Sequence, residues 1–387
     1  MNHLKSLFLL DPSITFLNHG SFGACPRPVM KAYQAWQRRL ERQPVAFLGR
    51  EYHQFDRQAR QALAEYLKAD PDDLAFVPNA THGVNIVARA LDLGPQDEIL
   101  ATNHEYGACD NAWRFITKKT GAAYIRQPIP FPVNSQAELI EQLWSGVNQR
   151  TRLIFLSHIT SPTALRFPVE EICRRAREAK ILTLIDGAHA PGQIPLDLPG
   201  IGADFYTGNC HKWMLSPKGA GFLYTRREVQ SLVEPLVVSW GYSATQSTTT
   251  GSGYIDILEW TGTRDPSAAL AVPDAIQFMQ DHNWESVRQE CNELLTQAIQ
   301  QITNLTGLEP LYPPNSDFYR QMAAVPLPPK LDPNTLKTRL YDEFHIEIPV
   351  HSWNEQPLMR ISIQGYNTPE DIKALLKALQ TVLPELI

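Results

Sequence analysis

The chain has 387 residues, of which 43% are hydrophobic and 20% are charged, a balance typical of a globular protein with more than one hydrophobic core. Its formal net charge of −6 at pH 7 provides no basic surface for DNA or RNA, which excludes nucleic acid as an expected partner. The chain lacks the roughly 18 consecutive apolar residues of a membrane helix, and its apolar run 7–10 is too short for a signal-peptide core.

The cysteines give no sign of a metal or disulfide site. Their spacing lacks the CxxC pattern of zinc and redox motifs, and their number is odd. We therefore expect no metal, no membrane partner and a reducing, cytoplasmic location. The cysteines are Cys25, Cys109, Cys173, Cys210 and Cys291.

Short β-like runs alternate with helical patterns between residues 72 and 225, which predicts βα units and a mostly parallel sheet. The linking segment PVEEICRRAREAK has proline at its start, acids in its first turn and bases in its later turns, as expected for a helix. Seven strands are predicted, at 74–77, 98–101, 122–127, 152–157, 181–185, 204–207 and 220–224.

The pattern changes after residue 225. A polar loop at 243–253 precedes two predicted helices at 268–280 and 285–303. A small α+β unit follows, with its elements in the order β, α, β, β, α. Its elements are predicted at 322–326, 333–344, 346–350, 358–363 and 369–383. The expected domains are a large one at 16–262 and a small one at 263–387, with 1–15 packing on the small one.

The segment LTLIDGAHAPGQ places Asp186 and His189 directly after the predicted strand 181–185. Ligands of open α/β sheets bind at the carboxyl ends of parallel strands. Taken alone, the Asp-Gly pair is equally typical of a turn, and Lys212, in the loop before the last predicted strand, is typical of a surface lysine.

The order strand–Asp–x–x–His, strand, His–Lys nevertheless matches the needs of one cofactor, pyridoxal 5′-phosphate. Its aldehyde needs an amine with which to form a Schiff base, and its ring nitrogen needs a carboxylate that keeps it protonated. Lys212 and Asp186 supply these two groups.

From about Phe16 to its end, the sequence resembles the class V aminotransferase family of fold-type I pyridoxal-phosphate enzymes. The segments LNHGSFG, HEYGACD, DGAHAPGQ and HKW are most similar to its isopenicillin N epimerase-like subgroup. The resemblance implies a fold-type I α/β architecture, with a large domain on a mostly parallel seven-stranded sheet and a smaller α+β C-terminal domain. It also implies a homodimer with shared active sites and a small amino-acid substrate.

The same resemblance assigns roles to residues of the two motifs. Asp186 would pair with the ring nitrogen and Lys212 would form the Schiff base. His189 would contact the 3′-oxygen of the cofactor. His211 would reach the phosphate, and Asn209 would belong to the cofactor-binding set.

The segment NATHGVNIVARAL, residues 79–91, places small polar residues before an amphipathic helix. Helix N-termini bind anions through free amides and the macrodipole, so Thr81 and His82 are candidate phosphate ligands. The alternative is a helix cap formed by Asn79 or Thr81. The resemblance favours the phosphate interpretation.

Two further cofactor contacts follow only from the resemblance. In TNHEYGACDNAW, Tyr106 would stack on the pyridine ring, with His104 as the second candidate. In EWTGTRDPS, Thr263 would reach a phosphate in the neighbouring subunit. Without the resemblance, Tyr106 would be a residue of the core or of a pocket rim.

Arg360 lies in the otherwise apolar run PLMRISI. Buried arginines are rare unless paired, and a guanidinium can hold a carboxylate with two hydrogen bonds. The alternatives are an internal salt bridge or, as the resemblance implies, a site for the α-carboxylate of the substrate. Asn18, His19 and Gly20 would line the substrate side, although His19 could equally cap local backbone.

The loop 346–360 contains His351 but no cysteine, so the persulfide chemistry of cysteine desulfurases is not expected. The expected reaction is epimerisation or racemisation at the Cα of an amino acid, of the isopenicillin N epimerase type. Lys212 would be the base, and Tyr106, His104 or a held water would be the second acid.

Other functions stay open because one fold supports several reactions. They are transamination, C–S or β-elimination, and a degenerate pyridoxal-phosphate-binding regulator without activity. The presence of both Asp186 and Lys212 argues against the regulator. A nucleotide-binding enzyme is disfavoured because the chain lacks both G-x-G-x-x-G after its first strand and a P-loop.

Overall fold

The computed structural model describes residues 4–243, 250–314 and 316–386, so residues 244–249 of the predicted polar loop lie outside it. The strands of this part are β1 (Thr15–Phe16), β2 (Leu74–Val77), β3 (Glu98–Thr102), β4 (Ala123–Gln127), β5 (Thr151–Ser157), β6 (Leu182–Gly187), β7 (Phe205–Asn209), β8 (Gly221–Thr225), β9 (Met322–Pro326), β10 (Ile346–Glu347), β11 (Val350–Trp353) and β12 (Gln356–Ser362).

The α-helices of the same residues are α1 (His19–Phe22), α2 (Arg27–Arg42), α3 (Pro44–Ala46), α4 (Tyr52–Leu67), α5 (Ala80–Ala90), α6 (Gly107–Thr120), α7 (Gln136–Trp144), α8 (Val169–Glu178), α9 (Leu198–Ile201), α10 (Gly253–Glu259), α11 (Ser267–Leu270), α12 (Val272–Asp281), α13 (Trp284–Thr306), α14 (Pro333–Phe344) and α15 (Pro369–Leu386). None of these helices has both the length and the apolar character that a membrane span requires.

The main sheet has seven strands within the described ranges, in the order β2-β8-β7-β6-β5-β3-β4. β8 runs antiparallel to both of its neighbours, whereas the other neighbouring strands pair in parallel. The predicted fold class is thereby confirmed. Each of the seven strands predicted for this sheet is present, with ends that differ by at most two residues.

Helices cover both faces of this sheet, so its inner strands are buried on both sides, whereas the edge strand β4 is only partly buried. Along β2, Leu74 and Phe76 belong to one apolar core, while Ala75 and Val77 belong to the other. The period of two along a strand produces this alternation. The carboxyl ends of the parallel strands remain available for a ligand site.

A three-stranded antiparallel sheet in the order β11-β12-β9 lies in the C-terminal part described here. The prediction of one strand at 346–350 is wrong. Ile346–Glu347 pairs in parallel with β1, whereas Val350 begins β11 and pairs with β12. Pro349 lies between these two pieces, and proline has no N–H to donate to a sheet.

The predicted helix 268–280 is also divided, into α11 and α12. Pro273 occupies the first turn of α12, where its missing N–H is tolerated, and so it marks a new helix start. The helix predicted at 285–303 is confirmed as α13, which is longer by four residues in total.

The N-terminal segment lies against the C-terminal part of the chain. β1 pairs with β10, and the amide of Ser362 donates to the carbonyl of Leu17 at 3.0 Å. This attachment brings residues 18–23 close to the loop that follows β7. The division into domains at residue 262 stays a prediction.

Candidate active site

A cavity of about 220 Å³ lies at the carboxyl ends of β5, β6 and β7. Most of its wall comes from loops that follow these strands and from the N-terminus of α5. The lining residues are Ser21, Phe22, Asn79, Ala80, Thr81, Tyr106, Ser157, Ile159, Ser161, Asp186, Ala188, His189, Asn209, His211 and Lys212.

Asp186 is buried at the end of β6, beside its register partner Ser157 on β5. Its Oδ1 accepts a hydrogen bond from the amide of Ala188 at 2.9 Å, and its Oδ2 accepts one from the thiol of Cys109 at 3.5 Å. Burial raises the pKa of Asp186, while the Ala188 amide and the charge of Lys212 act in the opposite direction. Its carboxylate is therefore held in a fixed orientation inside the cavity.

Lys212 lies in the loop between β7 and β8, and its Nζ is 3.2 Å from Nε2 of His189. Burial and the charge of Arg360 together lower the pKa of Lys212 to about 8, against the opposite effects of Asp186 and Cys109. The predicted group of Asp186, His189 and Lys212 is thus together in one cavity. A lysine of this kind contains more neutral, nucleophilic amine near neutral pH than an exposed lysine does.

The N-terminus of α5 forms another wall of the cavity. Asn79 caps the helix, since its Oδ1 accepts from the amide of His82 at 2.9 Å, and the amide of Ala80 donates to Oδ1 of Asn209 at 2.8 Å. Between them, the amide of Thr81 donates no hydrogen bond to any described residue, and Thr81 lines the cavity. The side chain of His82 is not part of the lining. An anion beside Thr81 would be stabilised by this end of the helix.

His211 lines the same region. Its Nδ1 donates to the carbonyl of Ala220 at 2.9 Å, and burial lowers its pKa to about 4. Gly23 has φ of +70°, and a Cβ at this position would lie 2.2 Å from the carbonyl oxygen of His211. Only glycine allows the N-terminal segment to approach the His211–Lys212 backbone so closely.

Tyr106 and His104 occupy different environments. Tyr106 lines the cavity and is 46% exposed. The ring nitrogens of His104 are each 2.7 Å from an oxygen, one from the hydroxyl of Thr163 and the other from the carbonyl of Ile129. His104 is buried outside the cavity, so of these two residues only Tyr106 lines it, and its stacking role stays a prediction.

Arg360, on β12, is buried and forms no ion pair with any described residue. Its Nη1 donates to the carbonyl and the hydroxyl of Ser161, at 2.5 and 3.3 Å, and its Nη2 donates to the hydroxyl of Ser21 at 3.0 Å. Its Nε has no partner in this part of the chain. Burial lowers the pKa of Arg360 to about 10. The structure therefore does not support the alternative of an internal salt bridge.

Asn18 and His19, the predicted substrate-binding residues of the N-terminal segment, contact other residues of the site and do not line the cavity. Oδ1 of Asn18 accepts from the hydroxyl of Ser21 at 2.5 Å, so Asn18 positions a partner of Arg360. His19 is fully buried, with Nδ1 at 3.0 Å from the Tyr366 hydroxyl and Nε2 at 3.1 Å from the Lys212 carbonyl. His19 thus lies behind Lys212 and does not line the cavity.

Thr263 is exposed and lies outside the cavity of this single chain. Its predicted reach into a neighbouring subunit concerns a dimer and stays a prediction.

Several residues that the sequence analysis did not select contribute to the site. The buried carboxylate of Glu105 accepts from the hydroxyls of Ser157 and Thr102, each at 2.6 Å, and burial raises its pKa to about 7. The indole of Trp213 contacts His189. Trp213 and Glu105 belong to the HKW and HEY segments on which the resemblance is based. Nothing in the local sequence indicates that Ser157 would be a hydrogen-bond partner of Glu105.

The family model described as aminotransferase class-V matches residues 22–375. The chain belongs to this family. Class-V membership implies an enzyme that depends on pyridoxal phosphate, and the expected family is confirmed.

Class-V relatives match nearly the whole chain. The isopenicillin N epimerase of Amycolatopsis lactamdurans is 36% identical, over 96% of this chain and 96% of its own. That of Streptomyces clavuligerus is 35% identical, over 98% of each chain. A probable chloroplastic L-cysteine desulfhydrase of Arabidopsis thaliana is 31% identical, over 95% of this chain and 83% of its own.

A solved structure has the same fold. The cysteine desulfurase CsdA of Escherichia coli superposes with a TM-score of 0.83 at 21% identity, over 100% of this chain and 98% of its own.

Proposed function

We propose that this class-V enzyme is an amino-acid epimerase or racemase that uses pyridoxal phosphate and exchanges the Cα proton of its substrate. The main supporting observation is that the partly buried Lys212, of lowered pKa, shares a cavity with Asp186 and His189. Such a combination of burial, perturbed pKa and convergent polar groups is characteristic of catalytic sites.

The residues of the cavity fit the cofactor group by group. Lys212 would hold its aldehyde carbon and Asp186 its ring nitrogen. The free amide of Thr81, at the N-terminus of α5, would hold the phosphate with the help of His211, whose pKa a bound dianion would raise. When bound, the cofactor withdraws electrons from the Cα of the attached amino acid and so acidifies the Cα proton.

Asp186 has to be ionised to stabilise a protonated ring nitrogen. Burial alone disfavours that state, as its raised pKa shows. A cation at hydrogen-bond distance lowers the pKa of a carboxyl again. The Ala188 amide and the Cys109 thiol, which hold the two carboxylate oxygens, keep Asp186 oriented for such a partner.

Arg360 would bind the α-carboxylate of the substrate. Its guanidinium is desolvated and has an unused Nε–H, so a carboxylate would supply the charge partner that the protein does not. Ser21 and Ser161 line the cavity and orient the guanidinium. This arrangement would select substrates with a free α-carboxylate.

Lys212 would act as the base for the Cα proton. A base is most effective when its pKa is near the working pH, and burial brings that of Lys212 to about 8. Inversion requires a second acid on the opposite face. Tyr106 lines the cavity with a phenol that can donate a proton, whereas His104 is engaged elsewhere.

The choice of epimerisation is supported by the two relatives named as isopenicillin N epimerases, which match over nearly their full length. A β-elimination lyase is the second candidate, because a relative named as an L-cysteine desulfhydrase is 31% identical. Elimination would begin with the same proton removal by Lys212 and would differ in the departure of a β-substituent.

Incubation of single-enantiomer amino acids with the enzyme in heavy water would distinguish the reactions. Epimerisation predicts deuterium at Cα and accumulation of the opposite configuration, followed by NMR and chiral chromatography. A Lys212→Ala variant serves as the control and should produce neither. Formation of pyruvate with a released thiol, or of a keto acid in a stoichiometric amount, would overturn the proposal in favour of elimination or transamination.

A further inference from the structure

Trp213 follows Lys212 in the chain and is completely buried. Its indole Nε1 donates to Nδ1 of His189 at 3.3 Å. An indole N–H is a donor and has no acceptor atom. Nδ1 of His189 must therefore present its lone pair to Trp213.

The single N–H of a neutral His189 ring can then lie on only one of its two nitrogens. Burial, with the nearby charge of Lys212, lowers the pKa of His189 well below its usual value, so the ring is neutral and carries a single N–H. This N–H lies on Nε2, which is 3.2 Å from Nζ of Lys212. An ammonium group has three donors and no acceptor, whereas a neutral amine has a lone pair that can accept from Nε2–H.

We propose that the Trp213 indole holds His189 in the Nε2–H tautomer and that His189 thereby favours the neutral amine of Lys212. Trp213 is thus a positioning residue that acts through His189. Without the indole N–H, the imidazole proton could move to Nδ1, and Nε2 could accept from a charged Lys212.

The indole is held firmly enough for this role. Its ring packs against that of His19, with centroids 4.8 Å apart. His19 in turn contacts the carbonyl of Lys212 at 3.1 Å. The backbone of Gly192 lies so close that a Cβ there would be 2.2 Å from the carbonyl oxygen of Trp213. Both the ring and the backbone of Trp213 are therefore fixed relative to Lys212.

Other groups also face the lysine. The charge of Arg360, on β12, favours the neutral amine, whereas Asp186, at the end of β6, and Cys109, on α6, favour the charged one. His19 is neutral, because burial lowers its pKa to about 3. The effect of Trp213 on the pKa of Lys212 adds to these contributions. A change of the indole alone measures it.

The decisive experiment uses the full-length chain freed of cofactor. The rate at which acetic anhydride acetylates Lys212 is measured by peptide mass spectrometry as a function of pH. We expect a midpoint near 8 in the unmodified protein. In Trp213→Phe it should rise by about one pH unit, which makes acetylation at pH 7 about tenfold slower.

Trp113→Phe is the matched control. Trp113 is also completely buried, and its Nε1 has no partner among the described residues, so this change removes an indole without removing a hydrogen bond. Its midpoint should stay near that of the unmodified protein. An unchanged midpoint in Trp213→Phe, or an equal rise in Trp113→Phe, would overturn the proposal.

A second variant covers the case in which Trp213→Phe fails to fold. Replacement of Trp213 by 3-benzothienylalanine keeps the shape of the ring and substitutes sulfur for the N–H, and it should raise the midpoint in the same way. The proposal about Trp213 rests on the proposed function only where it concerns attachment of the cofactor to Lys212. Acetylation requires no cofactor, so the failure of one proposal is distinguishable from the failure of the other.

Discussion

Nη1 of Arg360 lies 2.5 Å from the carbonyl oxygen of Ser161, a residue 199 positions earlier in the chain. This contact joins the C-terminal sheet to the loop after β5, at the rim of the cavity. A backbone carbonyl orients a guanidinium but leaves its charge uncompensated. The consequence is a fixed, buried cation without a charge partner among the described residues, and in the proposed function the substrate carboxylate would supply that partner.

Arg360→Lys should therefore lower the catalytic efficiency of the enzyme with its substrate. A lysine cannot form two parallel hydrogen bonds to a carboxylate, so we expect kcat/KM to fall about 100-fold, with a raised KM. Arg339→Lys is the control, because Arg339 forms exposed ion pairs with Glu343 and Glu385 and should leave the kinetics unchanged. Equal kinetics of the Arg360 variant and the unmodified enzyme would exclude this carboxylate site.

Lys212 should carry the cofactor. Borohydride reduction, followed by digestion and mass spectrometry, should locate a pyridoxyl group on Lys212. Lys218 provides an internal control, because it is exposed and its Nζ donates to the carbonyl of Gly23 at 3.1 Å. A pyridoxyl group found on Lys218 would refute the assignment.

Burial of Lys212 should also be visible in stability. Its pKa is about 8 in the folded protein and 10.5 in the unfolded chain, so between these values the unfolded chain binds more protons and stability rises with pH. Below pH 8 the full penalty of burying the charge applies, about 3 kcal/mol.

Lys212→Met should hence stabilise the cofactor-free protein at pH 7 by up to this amount, and the gain should vanish above about pH 10.5. Urea unfolding of both proteins at several pH values measures the difference. The exposed Lys330→Met is the control and should change stability little at any of these values. A Lys212→Met protein no more stable than the unmodified one at pH 7 would contradict the expected charge burial.

If the enzyme is a homodimer that shares its sites, two inactive variants should complement each other. In a mixed dimer of Lys212→Ala and Thr263→Ala chains, one site would carry both changes and the other neither, so activity should partly return. The measurement is activity after subunit exchange has been verified by differential tagging. No recovery would show that Thr263 does not serve the partner's site.

The sequence predicts the part of the site that depends on local pattern. Asp186 and His189 follow a strand, and Lys212 follows the next one, so the rule for carboxyl ends of parallel strands places them together. The division at Pro349 was missed because an apolar run by itself does not show which partner each strand segment will pair with.

The contacts that complete the site could not be predicted in this way. Ser21 and Ser161 meet Arg360 only because three distant segments converge, and no local pattern records such a meeting. The hydrogen bond from Trp213 to His189 likewise depends on the rotation of an indole inside the folded core. These contacts depend on tertiary packing, which spacing along the chain does not encode.

The pairing of β1 with β10 has a consequence for how the enzyme is made. A ribosome releases residues 15–16 long before residues 346–347, so β1 has no partner while the residues between them are synthesised. Ser21 waits equally long for Arg360. Nascent chains that stop before residue 346 can contain the lysine and the aspartate, yet they lack the arginine that would hold a substrate carboxylate, so the proposed site is completed only after residue 360 has been added.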